Sequence, residues 1–271
     1  MKRLCLILFV LLLAAPAMAE EPLQLARMDG PMLGSGVAGT NFCDGYSGLF
    51  CDDFEGASTC GDDADSEANC RNASAWSLIG SDAGGTITNQ KTTAIAGSYS
   101  KYIDANSHST YSFGTQISFS ANSEVWGFAI AKIDDLDASA NNLPLFVVAE
   151  NGGDAYCSVG INVEAGMKWS ANANGALSKS DSGPSQGTPY CIWIHYKNNT
   201  ATTGCQVFVT EYSAGTCVKS ETAVAQTATG NYGNVDLARF RARDQVSFAD
   251  FDLVWFDNVK IKATPIGDNG E

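Results

Sequence analysis

Basic residues are scarce in this chain. Lys and Arg number 16 against 30 Asp and Glu, for a net charge of −14. Nucleic acids and anionic membranes are held through basic patches, so neither is an expected partner. Acidic polysaccharides are disfavoured by the same balance unless a local basic patch overrides it. Long apolar runs are missing after residue 19, where nothing approaches the roughly 20 residues that span a bilayer. No membrane insertion is expected. No segment keeps the apolar period of a helix, and no internal repeat of fixed period occurs. C-x-x-C spacing is absent as well, which sets aside a zinc ribbon and a thioredoxin-like centre.

The start of the chain is different in kind. Residues 1–19, "MKRLCLILFVLLLAAPAMA", read as a secretory signal peptide. Lys2 and Arg3 form its positive end, Leu4 to Leu13 its apolar core, and Ala17-Met18-Ala19 its cleavage site. The protein is therefore expected to be secreted, either extracellular or periplasmic. Residues 20–41 form a Gly- and Pro-containing lead-in. Its formal G-x-G-x-x-G, Gly34 to Gly39, runs into Cys43-Asp44-Gly45 where a dinucleotide site needs a helix.

Of nine cysteines, Cys5 lies in the leader. The other eight are Cys43, Cys51, Cys60, Cys70, Cys157, Cys191, Cys205 and Cys217. An even number in an exported chain predicts about four disulfides. Short spacings favour Cys43–Cys51 and Cys60–Cys70, while the pairing of the later four stays open.

Short apolar runs follow one another from residue 42: "SEVWGFAIAKI", "LPLFVVAEN", "AYCSVGINV", "YCIWIHYKN", "CQVFVTEYS" and "LARFRAR". Turn-forming "NGGDA", "NANG" and "NNTATTG" separate them, the pattern of an antiparallel all-β domain. In "YCIWIHYKN", Ile192, Ile194 and Tyr196 share one strand face, and the aliphatic face is the expected core. Trp193, His195 and Lys197 share the other. As ligand groups, Trp193 would stack on a sugar ring while His195 and Lys197 donate to hydroxyls. The small side chains Val125, Gly127, Ala129 and Ala131 suit the floor of a groove. Arg241 and Arg243 in "RFRARD" alternate outward as further ligand candidates, with Asp244 at hand as an ion-pair partner. "GPSQG", residues 183–187, fits G-x-S-x-G but lies in a Pro-containing loop, without the strand and helix that a nucleophile elbow needs. Asn72 and Asn198 stand in N-x-S/T sequences.

"CDDFEG", "AGSYSKYI", "AKIDDLDASANNLPLFVV", "YCIWIHYKN", "CQVFVTEY" and "WFDNVKI" occur in this order. Together they resemble concanavalin A-like lectin/glucanase domains of the LamG-like kind. The resemblance covers residues 42–264 and leaves 265–271 as a C-terminal tail. It implies a two-sheet antiparallel jelly-roll sandwich. It also implies a structural calcium at Asp257, with Glu55 and Gly97 in segments that match the opening strands. Calcium takes six to eight oxygen ligands, many of them carbonyls. Without a metal, Asp257 would be a strand-end hydrogen bonder. A second acidic run, Asp63, Asp65, Glu67 and Asn69, alternates like a calcium loop but lacks its central Gly and final Glu, and reads as a solvated surface loop.

No catalytic set emerges. The E-x-D-x-x-E strand of laminarinase-type relatives is absent, although alternate carboxylates on one strand face are what that hydrolysis needs. The R-x-E-L-R and Q-I-H strands of alginate-lyase relatives are also missing, and "QIS", Gln116 to Ser118, lacks the histidine. The expected function is a carbohydrate-binding or adhesive module with a polysaccharide partner. Its competitors are a lyase or glycoside hydrolase on the same fold and a structural surface-assembly protein. The oligomeric state is left open.

Overall fold

Each apolar run becomes a strand because alternate side chains find a core on one side. A computed structural model describes residues 42, 43, 45–54, 76–79, 86–90, 94–97, 100–105, 113–136, 143–151, 155–162, 166–245 and 248–271, with 78, 79, 86, 88–90, 113, 135, 136, 143, 155, 202, 243–245 and 248–252 described by backbone alone. Among these residues there is no α-helix. The strands form two antiparallel sheets.

The first sheet runs β3 (Thr86–Gln90), β4 (Ser100–Asp104), β15 (Phe248–Lys262), β6 (Glu124–Leu136), β11 (Pro189–Lys197), β12 (Thr200–Glu211) and β13 (Ala225–Thr229). The short β1 (Phe50–Asp52) pairs with β15 beyond the end of β4. The second sheet runs β10 (Ala176–Lys179), β9 (Lys168–Ala173), β8 (Ala155–Asn162), β7 (Leu143–Ala149), β14 (Val235–Gln245), β5 (Phe113–Asn122) and β2 (Ser77–Ile79). β14 also pairs with the start of β15, so the two sheets meet there.

Between the sheets lies the main core. Ile192, Ile194 and Tyr196 point into it, as their alternation predicts. Val125, Ala129 and Ala131 point there too, so the small face of β6 is core and not a groove floor. Its smallness has a packing reason. A Cβ on Gly127 would lie 2.5 Å from the Phe146 ring and 2.8 Å from Ile194; the ring fills the space a side chain would need.

A second apolar layer covers the outside of the first sheet, built from Trp126, Phe128, Ile130, Trp193, Phe208 and Ile266 with the Cys191–Cys217 disulfide. The C-terminal residues seal it. The Trp193 indole N–H donates to the Gly267 carbonyl at 3.0 Å. Cys217 N–H donates to Asn269 Oδ1 at 2.6 Å, and Asn269 N–H returns to the Cys217 carbonyl at 2.8 Å. The expected tail is thus packed into the domain. Cys157–Cys205 joins β8 of one sheet to β12 of the other through the core, and Cys43–Cys51 closes a short N-terminal loop. Cys60, Cys70 and the acidic run between them lie outside the described residues.

Candidate functional site on the second sheet

The outer face of the first sheet is closed by that second layer. The outer face of the second sheet is built of polar groups on an apolar floor. Strand register sets one row across it, Gln116 on β5, Arg239 on β14, Val147 on β7, Ser158 on β8 and Asn172 on β9, each paired with the next. The strands are spaced by about 4.8 Å. Every member alternates with a core residue, Ile117, Phe240, Val148, Val159 and Ala171 among them, so all five point away from the core.

Arg239 is the centre of the row. Its Nε–H donates to Gln116 Oε1 at 3.3 Å, which fixes the guanidinium plane and leaves its remaining donors for a ligand. Burial lowers the Arg239 pKa from its ordinary value; an arginine so placed still carries its charge at neutral pH. Beneath it, Val147, Ala149 and Leu237 form a buried apolar floor. Arg241, half-buried, lies two residues further along the same face, opposite Gly114 of β5. A Cβ on Gly114 would lie 2.0 Å from the Phe240 carbonyl oxygen, so only glycine lets the strands approach there. Asp236, at the register shift of β14, accepts the Asn151 N–H at 2.7 Å. The described outward positions of β5, β14, β7, β8 and β9 include Arg239, Arg241 and Lys168. In a chain of net charge −14, this is the local basic patch that could override the sum. It can hold carboxylate or hydroxyl oxygens; no residue placed as a general base is described on it.

The other expected site residues are elsewhere. Trp193 is 0 % exposed, wrapped by the C-terminal residues, and is core and not a sugar platform. His195 stacks on Trp126 at 3.9 Å. Its Nε2 meets Glu124 Oε1 and its Nδ1 meets Gln206 Oε1, both at 2.9 Å. Lys197 pairs with Glu124 at 3.2 Å. These partners, and the opposite side of the sandwich, separate the trio from Arg239 and Arg241. The side chain of Arg243 lies outside the described residues.

Asp257 is fully buried. Its Oδ2 accepts the Ala96 N–H at 2.9 Å and the Ser100 hydroxyl at 2.6 Å, and its Oδ1 accepts the Asn258 N–H at 2.8 Å. Asn258 takes φ 49°, where the pairing of β15 with β6 slips. The Asp-Asn pair inside a strand therefore marks a bulge whose carboxylate holds Ala96 and Ser100. Gly97 is an exposed turn residue at φ 63°, and Glu55 lies outside the described residues. The three donors make Asp257 a hydrogen-bonded anchor for Ala96, Ser100 and Asn258. No cluster of three His, Cys, Asp or Glu side chains occurs among the described residues.

One more buried charge sits in the core. Lys101 lies 4.7 Å over the Trp76 ring and 5.3 Å from the Phe54 ring. Burial pushes its pKa down to about 8, opposed by the charge of Asp52. Asp52 accepts the Trp76 indole N–H at 2.6 Å and the Phe54 N–H at 2.8 Å; burial nevertheless raises its pKa.

Sequence reasoning missed Arg239, although its alternation with Arg241 and Arg243 was the available signal, and it set Gln116 aside for want of a following histidine. No family model and no curated protein matches the chain. Solved structures do. "Cellulose induced protein, Cip1" aligns over 80% of this chain and 99% of its own at 14% identity and a TM-score of 0.54. A PL-14 alginate lyase from Aplysia kurodai aligns over 81% and 100% at 12% identity and 0.49. An endo-β-1,4-glucuronan lyase from the fungus Trichoderma reesei aligns over 70% and 92% at 12% identity and 0.44. At 14% identity the likeness to Cip1 is one of fold: this chain shares its two-sheet antiparallel β-sandwich.

Proposed function

We propose that the chain is an exported carbohydrate-binding module of the concanavalin A-like kind that lays an acidic polysaccharide across the outer face of its second sheet. The observation that carries this is the Gln116–Arg239 row. A guanidinium held by an amide on an apolar floor is a ready donor to uronate oxygens. The buried floor excludes water beneath the contact and strengthens it. The likeness of fold to Cip1 is compatible with carbohydrate as partner. A lyase is the second reading. Guanidinium and amide groups can neutralise a uronate carboxylate, yet proton abstraction needs a base within hydrogen-bond reach, and none is described on this face.

Affinity electrophoresis in gels containing sodium polygalacturonate or alginate tests the proposal. The wild type is expected to be retarded, less so as salt rises, and Arg239→Ala to run free. Release of unsaturated oligosaccharides, seen by their ultraviolet absorbance, would move the lyase reading ahead. Free migration of the wild type in both gels would overturn the binding reading.

A further inference from the structure

Beside the arginine row, β8 and β9 carry a small polar cluster. Ile161 and Trp169 face the core as a pair, so Asn162, Gly160 and Ser158 of β8 and Ser170 of β9 face the other way. Gly160 pairs with Ser170 and separates Ser158 from Asn162. It adds no side chain between three small polar neighbours, all of them buried. Asn162 is 1 % exposed, and its Oδ1 has no hydrogen-bond partner. An orphaned buried acceptor raises the free energy of the folded state. A donor that arrives from outside would remove that cost.

We infer that Asn162 is a specificity-determining residue that accepts a hydrogen bond from a sugar hydroxyl of the bound polysaccharide. The inference rests on the proposed glycan-binding face and adds a second requirement to it: free hydroxyls on the ligand as well as its charge. Asn162 is two strands over from Arg239 and four residues along, roughly 17 Å by sheet spacing, a span that takes more than one sugar ring. Charge is read at Arg239 and ring hydroxyls at Asn162. The ligand is a hydroxylated, acidic oligosaccharide and not an isolated acidic sugar.

The test uses Asn162→Leu and Gly160→Ala in the full chain, with sodium polygalacturonate and its O-acetylated form as probes. Gly160 is absent from the residues at positive φ, so alanine is compatible with its backbone. Asn162→Leu is expected to weaken binding to polygalacturonate by about tenfold or more, while its melting temperature holds or rises, because the orphaned oxygen is gone. O-acetylation keeps the carboxylates and removes the hydroxyl donors. It should weaken the wild type and leave Asn162→Leu unaffected. Gly160→Ala adds a methyl group between Ser158 and Asn162 and is expected to weaken binding. Wild-type affinity in Asn162→Leu, with Arg239→Ala already defective, would overturn this inference alone. A lower melting temperature with unchanged affinity would make Asn162 structural and overturn it as well. Failure of the wild type to bind either probe would remove the glycan-binding face and the inference together.

Discussion

Replacing Trp193 by alanine separates the two outer faces of the sandwich. A tryptophan side chain buries roughly 150–250 Å², which at about 25 cal/mol per Å² is worth ~4–6 kcal/mol of transfer free energy. Measured tryptophan-to-alanine losses in cores run at about 3–5 kcal/mol. Trp193 is fully buried, and its indole N–H also holds the Gly267 carbonyl, a bond worth about 1 kcal/mol. A loss near 4 kcal/mol is a large part of the ~5–15 kcal/mol that stabilises a domain and should lower the melting midpoint by roughly 10 °C. Trp193→Phe keeps most of the ring and loses the hydrogen bond, so its cost should be a minor fraction of that. Urea unfolding gives the stability, and polysaccharide affinity of the folded fraction gives the function. Stability should fall while affinity stays at the wild-type value, because Trp193 and Arg239 lie on opposite sheets. A Trp193→Ala protein that melts like the wild type and has lost its affinity would refute this placement of the site.

Three further outcomes follow from buried groups. Asp257→Ala removes the acceptor of three hydrogen bonds, leaves buried donors behind, and should cost about 3 kcal/mol or more; chelator should leave the wild-type melting temperature unchanged, whereas a shift of several degrees on calcium addition would restore a metal at Asp257. Lys101 has a folded-state pKa of about 8, below its ordinary 10.5, so the unfolded chain binds the extra proton between those values and stability rises with pH across that window. The destabilisation from its buried charge is full below pH ~8 and relieved towards pH ~10, so the stability of Lys101→Met relative to wild type should be highest near neutrality and fall towards pH ~10; a difference independent of pH would count against the buried charge. Loss of Cys157–Cys205, which closes a loop with a sequence separation of 48, should cost ~4 kcal/mol in the chain-entropy account, and thiol titration of the denatured, unreduced protein should find no free sulfhydryl.

Alternation of side chains was enough to place Ile192, Ile194 and Tyr196 in the core, because a strand shows its period to any reader of the sequence. It could not show that the other face of β11 is buried as well. That depends on Ile266, Gly267 and Asn269 folding back from the end of the chain, and nothing local to Trp193 announces them. Gly127 and Ala129 looked like an open floor because their smallness is visible and Phe146, the ring that fills the space, comes from another strand. The Arg239–Gln116 pair is a contact of the same sort. Its members stand 123 residues apart and meet through the register of β5 with β14, which no motif encodes. Cys157–Cys205 also needed the topology, since spacing alone does not choose among the later cysteines. Asp257 was legible as an oddity within a strand, and its three donors explain it once Ala96 and Ser100 are in place.

The central claim is that Arg239, in its row on the second sheet, holds an acidic polysaccharide. Isothermal titration of wild type and Arg239→Ala with polygalacturonate oligosaccharides, at low and raised salt, tests it most directly. Saturable wild-type binding that weakens with salt, and a loss upward of about 2 kcal/mol in Arg239→Ala with an unchanged melting temperature, is the expected result. Equal affinities for the two proteins, or no heat from the wild type, would contradict it.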